Sequence, residues 1–413
     1  MYRQARTRRL QRLVHDRARQ ALGQVQTAPD PGPGRTAVPQ IPSRMQPLMI
    51  VRIGIVGTGG MANHHALHYR DLRSVRLVAC CDIDRERADA FAAKWEIPRV
   101  YDSYETMLAE EDLDGISVVT SDAAHPAVSL AAIERGIAVL CEKPLAPTLD
   151  EAARMAAAAR ERGAITAVNL LKRNGAGLQE ASQRIARGDI GRVLHVEACY
   201  LQSWLTRVAE RDVSKPIWRL TSRLGGGTLA DLGPHAFDLA TFLCGDIESV
   251  SCTLATYDKG VPGNALGGEP LDADDSFIAS VRFTGGALGT IHCSRWASGF
   301  NDWEFIRVCG DKGAIEVDFG REAADFAEYG NRYRIFTPDH RSWTSVCCKP
   351  SPSTYCRFVR AIKTGEPPQA DFDTGLRVQA YLHACRESFR LQRPVTVEPP
   401  SSEPTAAPAI EEG

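Results

Sequence analysis

Apolar and polar positions change rhythm along this chain. From Met49 to Leu170, short apolar runs alternate with stretches of helical period. IVRIGIV precedes ANHHALHYRDL, VRLVACC precedes RADAFAAKWEI and TMLAE, GISVVT precedes HPAVSLAAIERG, and IAVLC precedes DEAARMAAAARERG and then AITAVNLL. Strands alternating with helices at this spacing predict a parallel, doubly wound α/β sheet. After Leu170 the runs lengthen to GDIGRVLHVEACYLQSWL, GDIESVSCTLATYD, SFIASVRFTGGALGTIHCSRW and FIRVCGDKGAIEVDF. These read as long strands with hairpin signals such as TGG and GDKG, and predict a second domain on a large, mostly antiparallel sheet.

The two ends follow neither rhythm. MYRQARTRRLQRLVHDRARQAL can form a basic helix with Leu10, Val14, Ala18 and Leu22 on one face, and APDPGPGRTAVPQIPSR reads as an unfolded linker. Residues 1–48 are therefore read as a disordered basic extension, a contact for an anionic surface or partner helix, or a dispensable tail. The favoured reading is such a tail or an upstream start codon with the natural start at Met45 or Met49. Residues 398–413 read as a disordered tail, which leaves 49–170 for the first domain and 171–397 for the second. The last helix, about 375–391, is expected to pack back on the first domain.

Composition narrows the function. At 413 residues the chain is long enough for two cores, with ordinary apolar (44%) and charged (24%) shares. No run approaches the roughly 18 apolar residues of a membrane span. The net charge is −2, but residues 1–48 hold nine Arg against Asp16 and Asp30, so +7 there leaves −9 for the rest. A net-acidic body argues against nucleic acid as a partner. The twelve cysteines are scattered with no C-x-x-C, neither zinc spacing nor a disulfide framework, so a reducing cytoplasm is the expected setting.

The chemistry starts at GTGGMA. Gly57, Gly59 and Ala62 match G-x-G-x-x-G/A, which permits a tight turn, a close backbone approach to a pyrophosphate, and close helix–strand packing. Thr58, Gly60 and Met61 complete the turn. The second strand ends at Asp82, twenty residues beyond Ala62, where an acid can hydrogen-bond the adenosine ribose. That favours NAD, while Arg85 and Arg87 nearby keep NADP open. Glu142 and Lys143 stand at the carboxyl end of AVLC, where open α/β sheets bind ligands. In the second domain, LGGGTLADLGPHAFDLATFLCG places Asp231 and His235 four apart, so on one helix they share a face. A carboxylate near a histidine suits proton transfer; Asp231 as a helix cap with a packed His235 explains the same residues. His64, His65 and His68 have no carboxylate or thiolate spaced to complete a metal set, and no metal is expected.

GTGGMA, the Glu142–Lys143–Pro144 run and GGGTLADLGPHAFD together resemble the Gfo/Idh/MocA oxidoreductases. Trp218–Arg219, GDIGRV, GDKGAIEV and the closing FVRAIKTGEPP…GLRVQAYLHACRES…RPVTV extend the likeness from Val51 to about Val397. The resemblance implies an N-terminal Rossmann domain and a C-terminal α/β domain whose open sheet makes a homodimer or homotetramer. It implies hydride transfer between NAD(P) and a secondary alcohol or ketone of a sugar, cyclitol or sugar derivative. Lys143, Asp231 and His235 become the catalytic set, with either Lys143 or His235 carrying the proton. Glu142 faces the cofactor, as do Thr120, Ser121 and His125 in a T-S-D-A-A-H run that departs from the family's T-P-N-x-x-H. Lys172 is a candidate for substrate oxygens, though Lys172–Arg173 also fits a solvated surface pair. Trp218 joins the substrate side, and Tyr200 to Trp218, with Trp204, Arg207, Arg211 and Lys215, fits a lid or equally a core Trp with surface charges. The competing functions are an NAD-dependent glycoside hydrolase using transient oxidation, and a non-catalytic dinucleotide sensor.

Overall fold

The computed structural model describes residues 49–210, 217–320, 331–339 and 341–398. The expectations for residues 1–48, the tail beyond 398, Arg211 and Lys215 lie outside them. Among the described residues, six parallel strands form the first sheet in the order β3-β2-β1-β4-β5-β6. They are β1 (Val51–Val56), β2 (Val75–Cys81), β3 (Arg99–Tyr101), β4 (Gly115–Val118), β5 (Ala138–Cys141) and β6 (Thr166–Val168). β4 and β5 are buried along their whole length, which is why they read as unbroken apolar runs. The order reverses between β1 and β4, which opens a crevice at their carboxyl ends. β3, three residues long, is too short to stand out from the sequence.

Helix α1 (Ala62–Arg70) follows the glycine turn, and α2 (Arg85–Trp95), α3 (Tyr104–Glu110), α4 (His125–Glu134) and α5 (Leu149–Arg162) complete the crossovers. α5 shows how local chemistry sets a boundary. The Thr148 hydroxyl accepts from the Glu151 amide at 3.2 Å, and Gly163 closes the helix at φ 58°.

The second sheet has nine described strands, in the spatial order Trp343–Cys347, Arg332–Phe336, Ala314–Asp318, Trp303–Gly310, Val193–Leu201, Leu288–Ser294, Ser276–Phe283, Ile247–Ala255 and Val395–Thr396. The strands nearest the site are β7 (Val193–Leu201), β8 (Ile247–Ala255), β11 (Ser276–Phe283), β12 (Leu288–Ser294) and β13 (Trp303–Gly310). β7 and β12 run parallel, while the other neighbours pair antiparallel. Strict alternation along β11 turns Phe277, Ala279 and Val281 inward and Ile278 outward, and Leu288 at the start of β12 is likewise half exposed on the outer face. α6 (Ala176–Ala186) and α8 (Gly233–Cys244) cover the inner face, α8 directly after a single turn, α7 (Thr228–Asp231).

Two late helices return to the first sheet. α9 (Thr354–Thr364) packs Tyr355, Phe358 and Val359 against Val51, Ile53 and Leu140. α10 (Phe372–Leu391) gives Phe372, Leu376 and Val378 to the first core and Tyr381, Leu382 and Cys385 to the second. The return of α9 had no signal in the sequence. Among the described residues no helix is long and apolar enough to cross a membrane.

Candidate active site

The glycine turn is held by backbone sterics. Gly57 sits at φ 88°, and a Cβ there would lie 2.5 Å from the Val119 carbonyl oxygen, so no other residue fits. Gly59 and Gly60 face open space, leaving room above the amino end of α1. Beside the turn, Asp82 accepts from the Thr58 amide at 2.7 Å and its hydroxyl at 2.8 Å. Arg87 pairs with the same carboxylate at 2.5 Å. Burial acts to raise the Asp82 carboxyl, but Arg87 and the Asp84 and Thr58 donors outweigh it and keep the group ionised. Arg85 turns away to pair with Asp89 at 3.0 Å, so Arg87 is the cation at this acid.

At the carboxyl end of β4, the Thr120 hydroxyl donates to the Ser121 carbonyl at 3.1 Å, and Ser121 is exposed. His125 is buried, and its Nδ1 donates to the Pro144 carbonyl at 3.0 Å, bracing the turn that carries Lys143. The Glu142 amide donates to the Val118 carbonyl at 2.9 Å, extending the β5 ladder by one residue. The Glu142 carboxylate points into the protein, toward His65 and Asn169.

Lys143 reaches across to the second domain. Its Nζ lies 2.7 Å from Asp231 Oδ1 and 2.8 Å from the Asp231 carbonyl oxygen. Asp231 ends α7 and caps no helix. Its other oxygen accepts from Arg219 Nε at 3.0 Å and from Arg295 Nη2 at 2.5 Å. Burial pushes the Asp231 carboxyl up, yet Lys143, Arg295 and Arg219 prevail and hold it far below the usual carboxylate range. Asp231 is placed by α7, which Gly227 precedes as N-cap. That glycine sits at φ 121°, with Asp274 Oδ1 only 2.3 Å from where a Cβ would stand. Asp274 accepts from the Leu229 amide at 2.7 Å and so anchors the turn.

His235, one turn further on, is buried with its ring centroid 6.1 Å from that of Tyr200. Burial, reinforced by the positive charges of Lys143 and Lys172, drives its pKa well below the ordinary imidazole value. Its Nδ1 has no hydrogen-bond partner among the described residues. The imidazole is therefore neutral at physiological pH and able to take a proton.

Lys172 and Arg173 are both buried, so the solvated-pair reading fails. Arg173 forms an ion pair with Asp238. Lys172 Nζ lies 3.5 Å from Glu304 Oε2 and 5.2 Å from the Tyr200 ring centroid. Burial pushes the Glu304 carboxyl up to about 7, against the pull of Lys172. Trp218 is 43% exposed, with the Arg219 guanidinium 4.4 Å from its ring centre. The structure thus gathers Lys143, Asp231, His235 and Lys172, leaves Trp218 at the rim, and sets Arg85 aside.

Sequence reading missed Arg295, Glu304 and Asn169 as members of this region. Asn169 and Glu304 each interrupt apolar neighbours, the same signal that singled out Glu142 and Lys143, whereas Arg295 follows Ser294 and carries no such signal. Among the described residues no group of three or more metal-ligating side chains converges.

Residues 51–170 match an oxidoreductase family with an NAD-binding Rossmann fold, and residues 178–316 match the GFO/IDH/MocA C-terminal domain. The chain belongs to the GFO/IDH/MocA oxidoreductase family. Within it, the chain is 28% identical to levoglucosan dehydrogenase of Pseudarthrobacter phenanthrenivorans over 295 residues, 66% of this chain and 74% of that one. It is 25% identical to myo-inositol 2-dehydrogenase of Thermotoga maritima over 357 residues, covering 84% of this chain and 99% of the relative. The crystal structure of an oxidoreductase domain protein from Kribbella flavida superposes with TM-score 0.75 at 30% identity, over 85% of this chain and all (100%) of that one. As in other GFO/IDH/MocA oxidoreductases, the first domain is an NAD-binding Rossmann domain. Its own geometry fits that cofactor, with free room over the glycine turn and an ionised acid closing β2.

Proposed function

We propose that this protein is an NAD-dependent dehydrogenase that interconverts a secondary alcohol and a ketone on a sugar or cyclitol. The residues for holding NAD are the turn Gly57–Thr58–Gly59–Gly60–Met61, Asp82 at the ribose, and Thr120 and Ser121 beside β4. When bound, the nicotinamide ring supplies the hydride acceptor or donor. The protein supplies orientation and a path for one proton.

One observation carries the reading. Lys143, at the crevice end of the first sheet, is bound to Asp231 of the second domain, beside a buried and neutral His235. In the oxidation direction His235 takes the hydroxyl proton, since it is uncharged and its Nδ1 is free of hydrogen-bond partners among the described residues. Lys143 holds the substrate oxygen and stabilises negative charge developing on it. Asp231 orients Lys143, and is itself fixed by Arg219 and Arg295. Lys172, next to Tyr200 and Glu304, is assigned to a further substrate oxygen, and Trp218 to the rim. Proton transfer of this kind is worth roughly 10²- to 10⁴-fold in rate.

The names of the relatives, levoglucosan dehydrogenase and myo-inositol 2-dehydrogenase, support a polyhydroxylated ring as substrate. A cytoplasmic homodimer or homotetramer is part of the same reading. Its support is the outer face of the nine-stranded sheet, where Ile278 and Leu288 are 58% and 50% exposed.

The test is absorbance of reduced nicotinamide with purified protein, NAD or NADP, and a panel of inositols, anhydro sugars, aldoses and uronates. A signal with one substrate group that falls by at least about 100-fold in Lys143→Ala is expected. Full activity in that variant would sink the assignment.

A further inference from the structure

Behind Lys143 lies a polar joint that the mechanism above does not use. Glu142 is buried, and both of its carboxylate oxygens are engaged. Oε1 accepts from His65 Nε2 at 2.9 Å and from Asn169 Nδ2 at 2.6 Å. Oε2 accepts from the backbone amide of Lys143 at 3.2 Å. His65 stands one turn into α1, the helix whose amino end follows the glycine turn, and is fully buried. Asn169 immediately follows β6, and its own amide donates to the Cys141 carbonyl at 2.8 Å. Tyr355 of α9 closes the joint, with its ring 4.9 Å from His65 and its hydroxyl 3.4 Å from Asn169 Nδ2.

Burying a carboxylate is costly unless it is fully partnered, and an apolar contact would join these elements more cheaply. Here the carboxylate bonds to the backbone of the residue that carries the catalytic amine. Of its other two partners, His65 sits on the helix that follows the glycine turn and Asn169 at the end of β6. Burial alone would raise the Glu142 carboxyl, but His65, Asn169 and Lys143 hold it ionised at about 2. The charge is therefore permanent at working pH.

Building on the function proposed above, we infer that Glu142, His65 and Asn169 are positioning residues that fix Lys143 relative to the cofactor-binding helix. The joint ties the cofactor helix, β5 and β6 to one carboxylate, so Lys143 Nζ is directed at the substrate oxygen only while the joint is intact. Glu142 then acts through Lys143 rather than on the cofactor.

The test compares full-length His65→Ala, His65→Gln, Asn169→Ser and Lys143→Ala with wild type. The readouts are kcat and KM for the substrate found in the panel, the NADH Kd from nicotinamide fluorescence, and Tm. Misplacing a reacting group by about 1 Å costs on the order of 100-fold in rate. His65→Ala is expected to lose kcat on that scale, with KM and NADH Kd each moving less than about threefold. His65→Gln, whose amide N–H can replace the Nε2 donor, should recover most of the loss. Asn169→Ser should lose kcat in the same pattern, which keeps the question open to answer if His65→Ala fails to fold. Wild-type kcat in folded His65→Ala and Asn169→Ser would overturn the inference. So would losses in kcat, Kd and Tm that run in parallel and are not rescued by Gln. An active Lys143→Ala would instead remove the underlying mechanism, and is told apart by that variant alone.

Discussion

Single side chains in this site take their character from burial and from the sign of their neighbours. Asp231 and Glu304 are both buried acids, yet three cations hold the first ionised while the second is pushed up to about 7. His235 illustrates the consequence for pH. Its folded pKa lies well below 6.5, first through burial and then through Lys143 and Lys172. Below pH 6.5 the unfolded chain protonates this imidazole and the folded chain does not, so its contribution is present above 6.5 and is lost as pH falls. Urea unfolding at about pH 7.5 and 5.5 should therefore show a smaller acid loss in His235→Gln than in wild type, by about 1 kcal/mol. The same shift predicts that kcat/KM for oxidation has no limb near 6.5 arising from this residue. Equal acid losses in the two proteins would mean that His235 titrates normally.

At the scale of elements, the site is assembled by close approaches that leave no room for side chains. α10 meets the first domain at Gly375, where a Cβ would lie 2.8 Å from Val168 Cγ2 and 2.9 Å from Leu145 Cδ2. Leu145 belongs to the turn that carries Lys143, so this contact backs the catalytic segment. Gly375→Leu should cost about 1–3 kcal/mol through overpacking, seen as a lower Tm, and should reduce activity beyond the stability loss. A variant with unchanged melting would show that α10 shifts freely on this surface. Helix α8 works the other way. It buries nearly its whole circumference, so its sequence reads as an apolar segment, and His235 and Asp238 are exceptions explained by chemistry and by Arg173 respectively.

For the whole molecule, two sheets of different kinds present one site. The parallel sheet offers the ends of its strands, and the mostly antiparallel sheet offers its inner face through α7 and α8. The outer face of the second sheet keeps an alternating pattern with Ile278 and Leu288 exposed. Light scattering on wild type and on Ile278→Glu/Leu288→Glu should show an oligomer dissociating to smaller species, since buried charges oppose a sheet-to-sheet contact. A monomeric wild type would remove that part of the proposal.

Much of this was decided by local pattern. The glycine turn, the alternating elements, Asp82 and Lys143 are short-range features, because strand ends and turns follow from neighbours in the chain, whereas Asp231 and His235, four apart, fall on two helices, α7 and α8, rather than on one face of one helix. The sequence could not say that Arg87 rather than Arg85 meets Asp82, since both flank the same helix start and only side-chain direction separates them. Nor could it join Arg295 to Asp231, Glu304 to Lys172, or His65 to Glu142, which are 64, 132 and 77 positions apart. Those pairings depend on which strand ends and helix faces become neighbours once two sheets close on one crevice. The amino acids determined which elements form and which groups stand at their ends. Tertiary packing alone decided which charges share a dry space, and thereby which acids stay ionised and which histidine stays neutral.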